Sequence, residues 1–326
     1  MPVHVIRAAA DLAGAVPPDA IARLYHISRE VYAPVLAAFA DHCLGGMEGD
    51  PHRVNLCLAR DGIGAYLAQT VLLRVAPARY PGICPHQVRL AYISRRLVAA
   101  SEAAPPHRRL LHAYLRRQAP GRASRLTLVD VGIHGRIQDG LARLYPAREL
   151  RGEYLILRRR RGDANAALKH GFLVERGALA GAAPSGDSYF LRRDVIHLLE
   201  DVWSGVNESV TRLRPMRAAR TRGGARPVLC RLGEGAPLGR ERPTAAELLA
   251  LKRAALRGVV DGVASVAGRT LARQGRAARQ RRPRSDAPAV AERLAQWIQS
   301  TRDPASPDAW LWRALVRQAG SEAEAD

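Results

Sequence analysis

Apolar residues in this chain form short continuous runs, separated by glycine-containing loops and by stretches with helical spacing. The continuous runs predict four strands, at Val54–Ala59, Val88–Ser94, Leu126–Asp130 and Gly152–Leu157. Helical spacing between them predicts helices at Ile63–Arg74, at His107–Gln118 and directly after Gly135. Alternating helices and fully apolar strands are typical of a parallel sheet covered on both faces. The pattern therefore predicts an α/β fold with a Rossmann-like parallel sheet flanked by helices.

Helical segments are predicted before and after the sheet along the sequence. Residues 17–44 show helical spacing, and Leu191–Leu213 begins as a helix that breaks at Ser204-Gly205. Arg226–Leu232 is a strand candidate, and Thr244 is a typical N-cap for a C-terminal helix. We divide the chain into an N-terminal helical lead-in (1–50), an α/β core (51–215), a strand and loop connection (216–243) and a C-terminal helical region with an Arg-rich segment (244–326).

The chain is strongly basic, with 51 Lys and Arg against 30 Asp and Glu and a net charge of +21. Such a charge would ordinarily favour nucleic acid or an anionic membrane. However, only Lys169 and Lys252 are lysine, and abundant Arg with abundant Ala is also typical of GC-rich codon usage. We interpret Arg158–Arg161 and residues 276–284 as solvated surface, so nucleic acid is a disfavoured partner. Arg still favours anionic substrates, because it binds phosphate in bidentate geometry.

Cysteine usage and the lack of a leader indicate a cytoplasmic protein, with contact at the inner face of the membrane left open. The four cysteines form no CxxC pair, no run of 18 apolar residues occurs, and the N-terminus lacks signal-peptide features. The Cys and His residues between 42 and 86 do not have zinc-ligand spacing, and Cys57 falls within a predicted buried strand. Zinc is therefore disfavoured.

Two loops with glycine follow predicted strands. In the segment Leu126–Leu144, the strand ends at Asp130, and Gly132 and Gly135 precede a helix. The N-terminus of that helix offers unpaired N–H groups to an anion, and glycine lets the backbone approach it closely. The segment Val54–Arg74 has a similar shape. Because the carboxyl ends of parallel strands share one edge, we expect both loops to meet in one cleft and to bind a substrate with two phosphate groups.

Residues of these two loops and of the neighbouring strand end at Ser94–Arg96 are the candidates for phosphate and diphosphate binding. Arg60 and the amides around Gly62 are expected to hold one anionic group, and the second loop another. The alternative for the first loop is a plain turn in which Asp61 caps the helix. For the second, it is an ordinary turn in which Asp130 accepts from local amides. The full candidate set is Arg60, Gly62, Ser94, Arg95, Arg96, Gly132, Ile133, His134, Gly135 and Arg136.

Acidic residues supply the candidate catalytic and metal-binding groups. Asp130, at the tip of its strand, suits ribose hydroxyls or a Mg²⁺ that bridges them to diphosphate, since Mg²⁺ prefers carboxylate and phosphate oxygens. Asp61 is the expected second carboxylate. Glu200, Asn207 and Glu208 lie near the predicted helix break, where they either bind an acceptor or act as a base, or else form an exposed helix end.

Three motifs occur in the order found in type I phosphoribosyltransferases, over about residues 52–160: ARDG at Ala59–Gly62, ISRR at Ile93–Arg96 and VDVGIHGR at Val129–Arg136. The resemblance implies that the first loop holds the diphosphate of phosphoribosyl diphosphate and the last cradles its 5-phosphate. It also implies an acid at the third strand end. The family usually has two adjacent acids there, whereas this chain has Val131 in the second place, so Asp61 is expected to supply the missing carboxylate.

The chain more closely resembles a group of bacterial proteins from polysaccharide-assembly gene clusters. The matching segments are Ala59–Gly62, Ser94–Arg96, Val129–Gln138 and Leu198–Val210. This resemblance implies Mg²⁺-dependent transfer of a 5-phosphoribosyl group to a glycan or other small acceptor. A separate haloacid-dehalogenase-type phosphatase is the implied partner that later removes the phosphate.

Two other classes of function remain open. A haloacid-dehalogenase-like phosphohydrolase needs a strand-end DxD, but Ala59 stands at the nucleophile position and only Asp61 remains. A non-catalytic α/β domain would bind a phosphorylated ligand or a polyanion through its Arg surface.

Overall fold

A five-stranded, all-parallel sheet forms the centre of the protein in the computed structural model, which describes residues 19–119, 125–176, 188–203, 212–215, 225–228, 245–273 and 287–309. Its strands are β1 (Arg53–Leu58), β2 (Val88–Ala91), β3 (Arg125–Asp130), β4 (Leu150–Arg158) and β5 (Lys169–Arg176). Their spatial order is β2-β1-β3-β4-β5, and each neighbouring pair is parallel. The predicted α/β class with a parallel sheet is confirmed.

Helices flank the sheet and form the regions before and after it, as predicted. They are α1 (Ala20–Ile27), α2 (Ala33–Gly45), α3 (Ile63–Val75), α4 (Arg95–Ala103), α5 (Pro105–Gln118), α6 (Arg136–Leu144), α7 (Arg193–Val202), α8 (Ala245–Arg273) and α9 (Ala287–Ser300). A π-helical segment, Ser28–Tyr32, joins α1 to α2. Two short strands, β6 (Leu213–Pro215) and β7 (Ala225–Pro227), pair in antiparallel fashion. Within the described residues, none of the helices combines the length and apolar character needed to cross a membrane.

Two strands of the sheet differ from the prediction. The second strand was expected to extend to Ser94, but β2 ends at Ala91. Ser94 is instead the N-cap of α4, and its Oγ accepts a hydrogen bond from the Leu97 N–H at 3.1 Å, which satisfies a backbone donor at the helix start. The edge strand β5 was not predicted, because its apolar run, Phe172–Val174, is too short to signal a strand.

Hydrophobic residues pack on both faces of the sheet. Along β1, Leu56 and Leu58 belong to a cluster with the α4, α5 and α6 side, whereas Cys57 belongs to a cluster on the opposite face. This alternation follows from the two-residue period of a strand. The second face is covered by α1, α2, α3, α7, α8 and α9, so the helices from both ends of the chain share one core with the sheet.

Close backbone packing brings α8 against α1 and the π-helical segment. A Cβ added at Gly258 would overlap the carbonyl oxygen of Tyr25, and one added at Gly262 would overlap that of Arg29. Beside this contact, Trp203 stacks on Tyr32 with ring centroids 3.8 Å apart, and its Nε1 donates to the Ser28 Oγ at 2.8 Å. The two glycines allow α8 to pack closely on this segment, in the same hydrophobic core as α7.

We predict opposite effects for two glycine substitutions in α8. Gly262→Ala should destabilise the protein by roughly 1–3 kcal/mol, because the methyl group would push against backbone rather than a mobile side chain. Gly268→Ala is the matched control: nothing lies within 4 Å of its added Cβ, so the better helix propensity of alanine should stabilise the protein by up to about 1 kcal/mol. Denaturant unfolding followed by circular dichroism measures both. Equal gains in stability would show that α8 is not packed closely at Gly262.

Candidate functional site

A cleft of about 600 Å³ opens at the carboxyl edge of the sheet, between the ends of β1 to β4 and helix α7. Most of the predicted site residues line this cleft together. They are Arg60, Asp61, Ser94, Arg95, Asp130, Gly132, Ile133, His134, Gly135, Arg136 and Glu200. Both loops therefore lie at the carboxyl edge of the sheet, as expected.

Four candidates do not fall into this group. Arg96 is exposed and does not line the cleft, because it follows Arg95 on α4 and faces away. Gly62 is buried behind the first loop and does not line the cleft either. Asn207 and Glu208 lie outside the residues that the structure describes.

Several residues of the cleft were missed by sequence reasoning, and they come from β4, from α7 and from the turn just before α7. Tyr154 lies opposite Asp130 in the sheet register, and burial raises its pKa well above the usual value. Arg158, at the end of β4, also lines the cleft, as do Leu191 and Ile196. The strand order, which places β4 beside β3, is the signal that would have found Tyr154 and Arg158.

The interpretation of Arg158–Arg161 as solvated surface needs a correction. Arg158 reaches the cleft, and Arg159 is buried, with 7% of its surface exposed. The Arg159 side chain forms an ion pair with Glu175 and donates to the backbone oxygen of Lys169 at 2.8 Å. A buried arginine needs such partners, and they are supplied by β5, the strand that was not predicted.

The first loop holds Arg60 in an unusual backbone conformation. Its φ is +100°, and no other non-glycine residue in the described ranges has a positive φ. Such a conformation costs on the order of 1–3 kcal/mol and is common at functional sites. The guanidinium binds Asp61 in bidentate geometry, with Nε–Oδ1 2.7 Å and Nη2–Oδ2 2.8 Å. Burial lowers the pKa of Arg60, but the negative charge of Asp61 raises it by more, so Arg60 stays charged.

These contacts contradict the alternative in which Asp61 caps a helix and Arg60 is solvated. The N-cap of α3 is Gly62, without a side-chain cap, and the Asp61 carboxylate is bound to Arg60. Gly62 itself has a packing role: an added Cβ would lie 2.7 Å from the carbonyl oxygens of Leu58 and Val129. Its N–H already donates to the Leu58 carbonyl at 2.7 Å, which corrects the expectation that the Gly62 amide binds an anion.

Three carboxylates meet at the end of β3. Burial and then the negative charges of Asp61 and Glu200 raise the pKa of Asp130 well above its ordinary value. The positive charge of Arg60 and the Val131 N–H, which donates to Asp130 Oδ1 at 3.0 Å, act in the opposite direction without cancelling this effect. Asp61 had been expected as the second acid, and Glu200 on α7 adds a third. Two further carboxylates therefore lie near Asp130, one from the first loop and one from α7.

The donor set suits a cation that is shared with a substrate. Among the residues described, no three His, Cys, Asp or Glu side chains are arranged to hold a metal by themselves. Mg²⁺ requires only one or two carboxylates when phosphate oxygens and waters complete its shell. Asp130 fits that role, because a cation would relieve the like charge that Asp61 and Glu200 place around it. Asp61 fits it less well, since both of its oxygens already bind Arg60.

The second loop presents the start of α6 to the cleft. Gly132 and Gly135 have φ values of +23° and +62°, which side chains disfavour. The first helical hydrogen bond of α6 is donated by Asp139 to Gly135 O at 3.1 Å, so the three preceding amides have no acceptor within the helix. Gly135, Arg136 and Ile137 all line the cleft. This arrangement can receive a phosphate group.

Strand β4 supports the second loop from the side. The Ile133 carbonyl accepts a hydrogen bond from the Arg158 N–H at 2.7 Å. In return, His134 Nδ1 lies 2.8 Å from the Arg158 carbonyl oxygen, so it bears the proton and donates. The His134 ring is thus held against β4 rather than free in solvent.

Comparison with models of known protein families gives no match for this chain, and comparison with curated proteins gives none either. The family resemblance noted from the three motifs therefore stays a prediction. The chemistry of the cleft is what supports a proposal about function.

We predict that Asp130→Asn stabilises the protein at neutral pH. An acid with a raised pKa in the folded state binds its proton more tightly when folded, so its charged form costs stability above the unfolded-state pKa of about 3.8. The variant lacks this cost and should gain roughly 0.5–2 kcal/mol at about pH 7. The gain should shrink as the pH falls and vanish near pH 3, where both states of the wild type are protonated. Unfolding free energies across this range measure it.

The exposed residue Glu292 on α9 supplies the control for this measurement. Glu292→Gln should leave the stability difference close to zero at every pH. A loss of stability in Asp130→Asn at pH 7 would contradict the clustering of like charges at the end of β3.

Proposed function

We propose that the cleft is the active site of a Mg²⁺-dependent phosphoribosyltransferase-like enzyme. It would transfer a 5-phosphoribosyl group from phosphoribosyl diphosphate to a glycan or another small acceptor. The observation that carries the proposal is the meeting of Asp130, Glu200 and the Asp61–Arg60 pair in one cleft with the glycine loop of α6. A sugar with phosphate at both ends matches that distribution of charge.

The diphosphate would lie beside Arg60 and Arg95. The strained backbone and the bidentate bond to Asp61 hold the Arg60 guanidinium in one orientation, which reduces the reorganisation needed on binding. Arg95 contributes charge from the first residue of α4, next to the helix N-terminus. Ser94 would act indirectly, since its hydroxyl caps α4.

The 5-phosphate would lie on the second loop. The amides at the start of α6 supply hydrogen-bond donors, and Arg136 and Arg158 supply charge at the rim of the cleft. Gly132 and Gly135 let the backbone come close to the phosphate. An added Cβ at Gly132 would lie 2.8 Å from Tyr154 Cδ1, so the loop also fits tightly on β4.

The reaction breaks the bond between C1 of the ribose and the diphosphate oxygen, and the departing diphosphate keeps the electron pair. The acceptor hydroxyl oxygen forms the new bond to C1 and gives up its proton to the Glu200 carboxylate. Asp130 would bind the ribose hydroxyls and offset positive charge developing on the ring. Asp130 would hold a Mg²⁺, which would supply charge neutralisation at the diphosphate when bound.

The acceptor would enter along α7. Leu191, just before α7, and Ile196 give this wall of the cleft an apolar surface, and Glu200 lies on the same helix as Ile196. An apolar wall with one carboxylate suits the face of a sugar ring that presents a hydroxyl. As part of this proposal, we place the protein in the cytoplasm, with contact at the inner face of the membrane left open, and infer that a separate phosphatase removes the 5-phosphate.

We predict that the protein binds phosphoribosyl diphosphate in the presence of Mg²⁺, and that Asp130→Asn weakens this binding about tenfold or more. Loss of the carboxylate removes both a hydroxyl acceptor and a cation ligand. Calorimetric titration with Mg²⁺ and with a chelator measures it, and the chelator should lower the affinity of the wild type.

The two competing functions give different results in the same protein. No binding of phosphoribosyl diphosphate with Mg²⁺ would overturn the proposal. Binding to RNA or DNA that falls steeply with salt and is unchanged in Asp130→Asn would indicate a polyanion-binding domain. Hydrolysis of simple phosphate esters would indicate a phosphohydrolase.

We predict that Arg95→Ala weakens binding of Mg²⁺-diphosphate about tenfold, because it removes a charged donor that lines the cleft. Arg109→Ala is the matched control, since Arg109 is exposed on α5 and does not line the cleft. Calorimetry with inorganic pyrophosphate and Mg²⁺ measures both variants. Equal losses would show that the effect comes from overall charge rather than from a site.

A further inference from the structure

A buried lysine lies directly behind the second loop. Lys169, the first residue of β5, has no exposed surface. Its Nζ donates to Asp139 Oδ1 and Asp163 Oδ2 at 2.6 Å each, and to the backbone oxygen of His134 at 3.3 Å. An ammonium group has three donors, so each of them has an acceptor.

The loop backbone rests on this lysine and on Tyr154. A Cβ added at Gly135 would lie 2.8 Å from the Tyr154 hydroxyl and 2.9 Å from Lys169 Cε. The Tyr154 hydroxyl donates to Gln138 Oε1 at 2.8 Å. The loop therefore has two fixed supports, of which Tyr154 also lines the cleft and Lys169 does not.

The choice of lysine here is informative, because 49 of the 51 basic residues in the chain are arginine. A guanidinium is a wide planar fork, whereas an ammonium is compact and can direct three donors to acceptors around a single point. Three acceptors and the Gly135 backbone surround Nζ and Cε closely. Burying such a charge is costly unless it is paired, and here two carboxylates pair it.

The contact with His134 determines the direction of the next amide. In a trans peptide the C=O and the following N–H point in opposite directions. Because the His134 carbonyl points back to Lys169, the Gly135 N–H points away from the buried side. Lys169 does not line the cleft, so it acts on a ligand only through the loop.

We propose that Lys169 is a positioning residue that orients the backbone amides of the Gly132–Arg136 loop for a sugar 5-phosphate. This inference rests on the proposed function, because it assigns the loop to that phosphate. Asp163 holds the ammonium from the far side and contributes through it. The lysine thus supports the end of the cleft that binds the 5-phosphate and leaves the diphosphate end unaffected.

Lys169→Met tests the proposal, because methionine keeps most of the length and apolar volume and removes the donors. Calorimetry with two probes separates the ends of the cleft: ribose 5-phosphate for the loop, and inorganic pyrophosphate with Mg²⁺ for Arg60 and Arg95. We expect about a tenfold or greater loss of affinity for ribose 5-phosphate and a change within about twofold for pyrophosphate. Equal losses for both probes would indicate a structural role only and would overturn the proposal, as would no loss for ribose 5-phosphate.

The other lysine of the chain supplies the matched control. Lys252 on α8 is also buried, with 3% exposed, but does not line the cleft. Lys252→Met should lower the unfolding midpoint while leaving both affinities unchanged. A selective loss of ribose 5-phosphate binding in this variant as well would count against a specific role for Lys169.

Asp163→Asn keeps the test decisive if Lys169→Met does not fold. It retains the lysine but weakens one of its anchors, so we expect a loss of about threefold for ribose 5-phosphate and none for pyrophosphate. An unchanged affinity for ribose 5-phosphate would overturn the proposal. Failure of the wild type to bind either probe would overturn the proposed function itself, and the inference with it. Normal wild-type binding with unaffected variants would overturn the inference alone.

Discussion

The parallel pairing of β1 with β3 is the constraint on which the site depends. Cys57 lies opposite Val129 in this register, so the loop after β1 and the loop after β3 leave the sheet side by side. Gly62 makes the arrangement tight, because only a residue without Cβ fits between the carbonyl oxygens of Leu58 and Val129. The Arg60–Asp61 pair is thereby held next to Asp130. A slip of one residue would exchange the two faces of β1 and separate these groups.

The cleft is built at the expense of stability. Arg60 has a positive φ, Asp130 shares its surroundings with two other carboxylates, and Lys169 keeps a charge buried behind the loop. Each of these features is unfavourable in isolation, and a well-packed sheet with helices on both faces provides the stability that offsets them. Such concentrations of strain and like charge are typical of sites that await a ligand of opposite charge. In the proposed function, the ligand would bring a cation to the carboxylates and phosphate groups to the arginines and the helix N-terminus.

Support for the site comes from parts of the chain that are far apart in sequence. Helix α7 brings Glu200 to Asp130, and α7 is itself held where Trp203 stacks on Tyr32 of the π-helical segment. Helix α8 packs against the same segment through its glycines. The helices at the two ends of the chain therefore cover one face of the sheet and also fix the position of a cleft residue.

Local sequence was enough to determine the strands β1, β3 and β4, the glycine loops and the parallel sheet, because each of these depends on the apolar period and on turn residues within a few positions. It was also enough to bring Arg60, Asp61 and Asp130 together, since parallel strands must end at a common edge. It did not reveal β5, whose apolar run is short, or the burial of Arg159 and Lys169 among a surplus of arginine. Only the tertiary structure decided that Arg95 faces the cleft while Arg96 does not, that Gly62 packs rather than binds, and that Tyr154 and Glu200 join the site. Those outcomes depend on strand order and on helices packed from distant segments, and burial and long-range electrostatics are properties of the folded arrangement rather than of any local pattern.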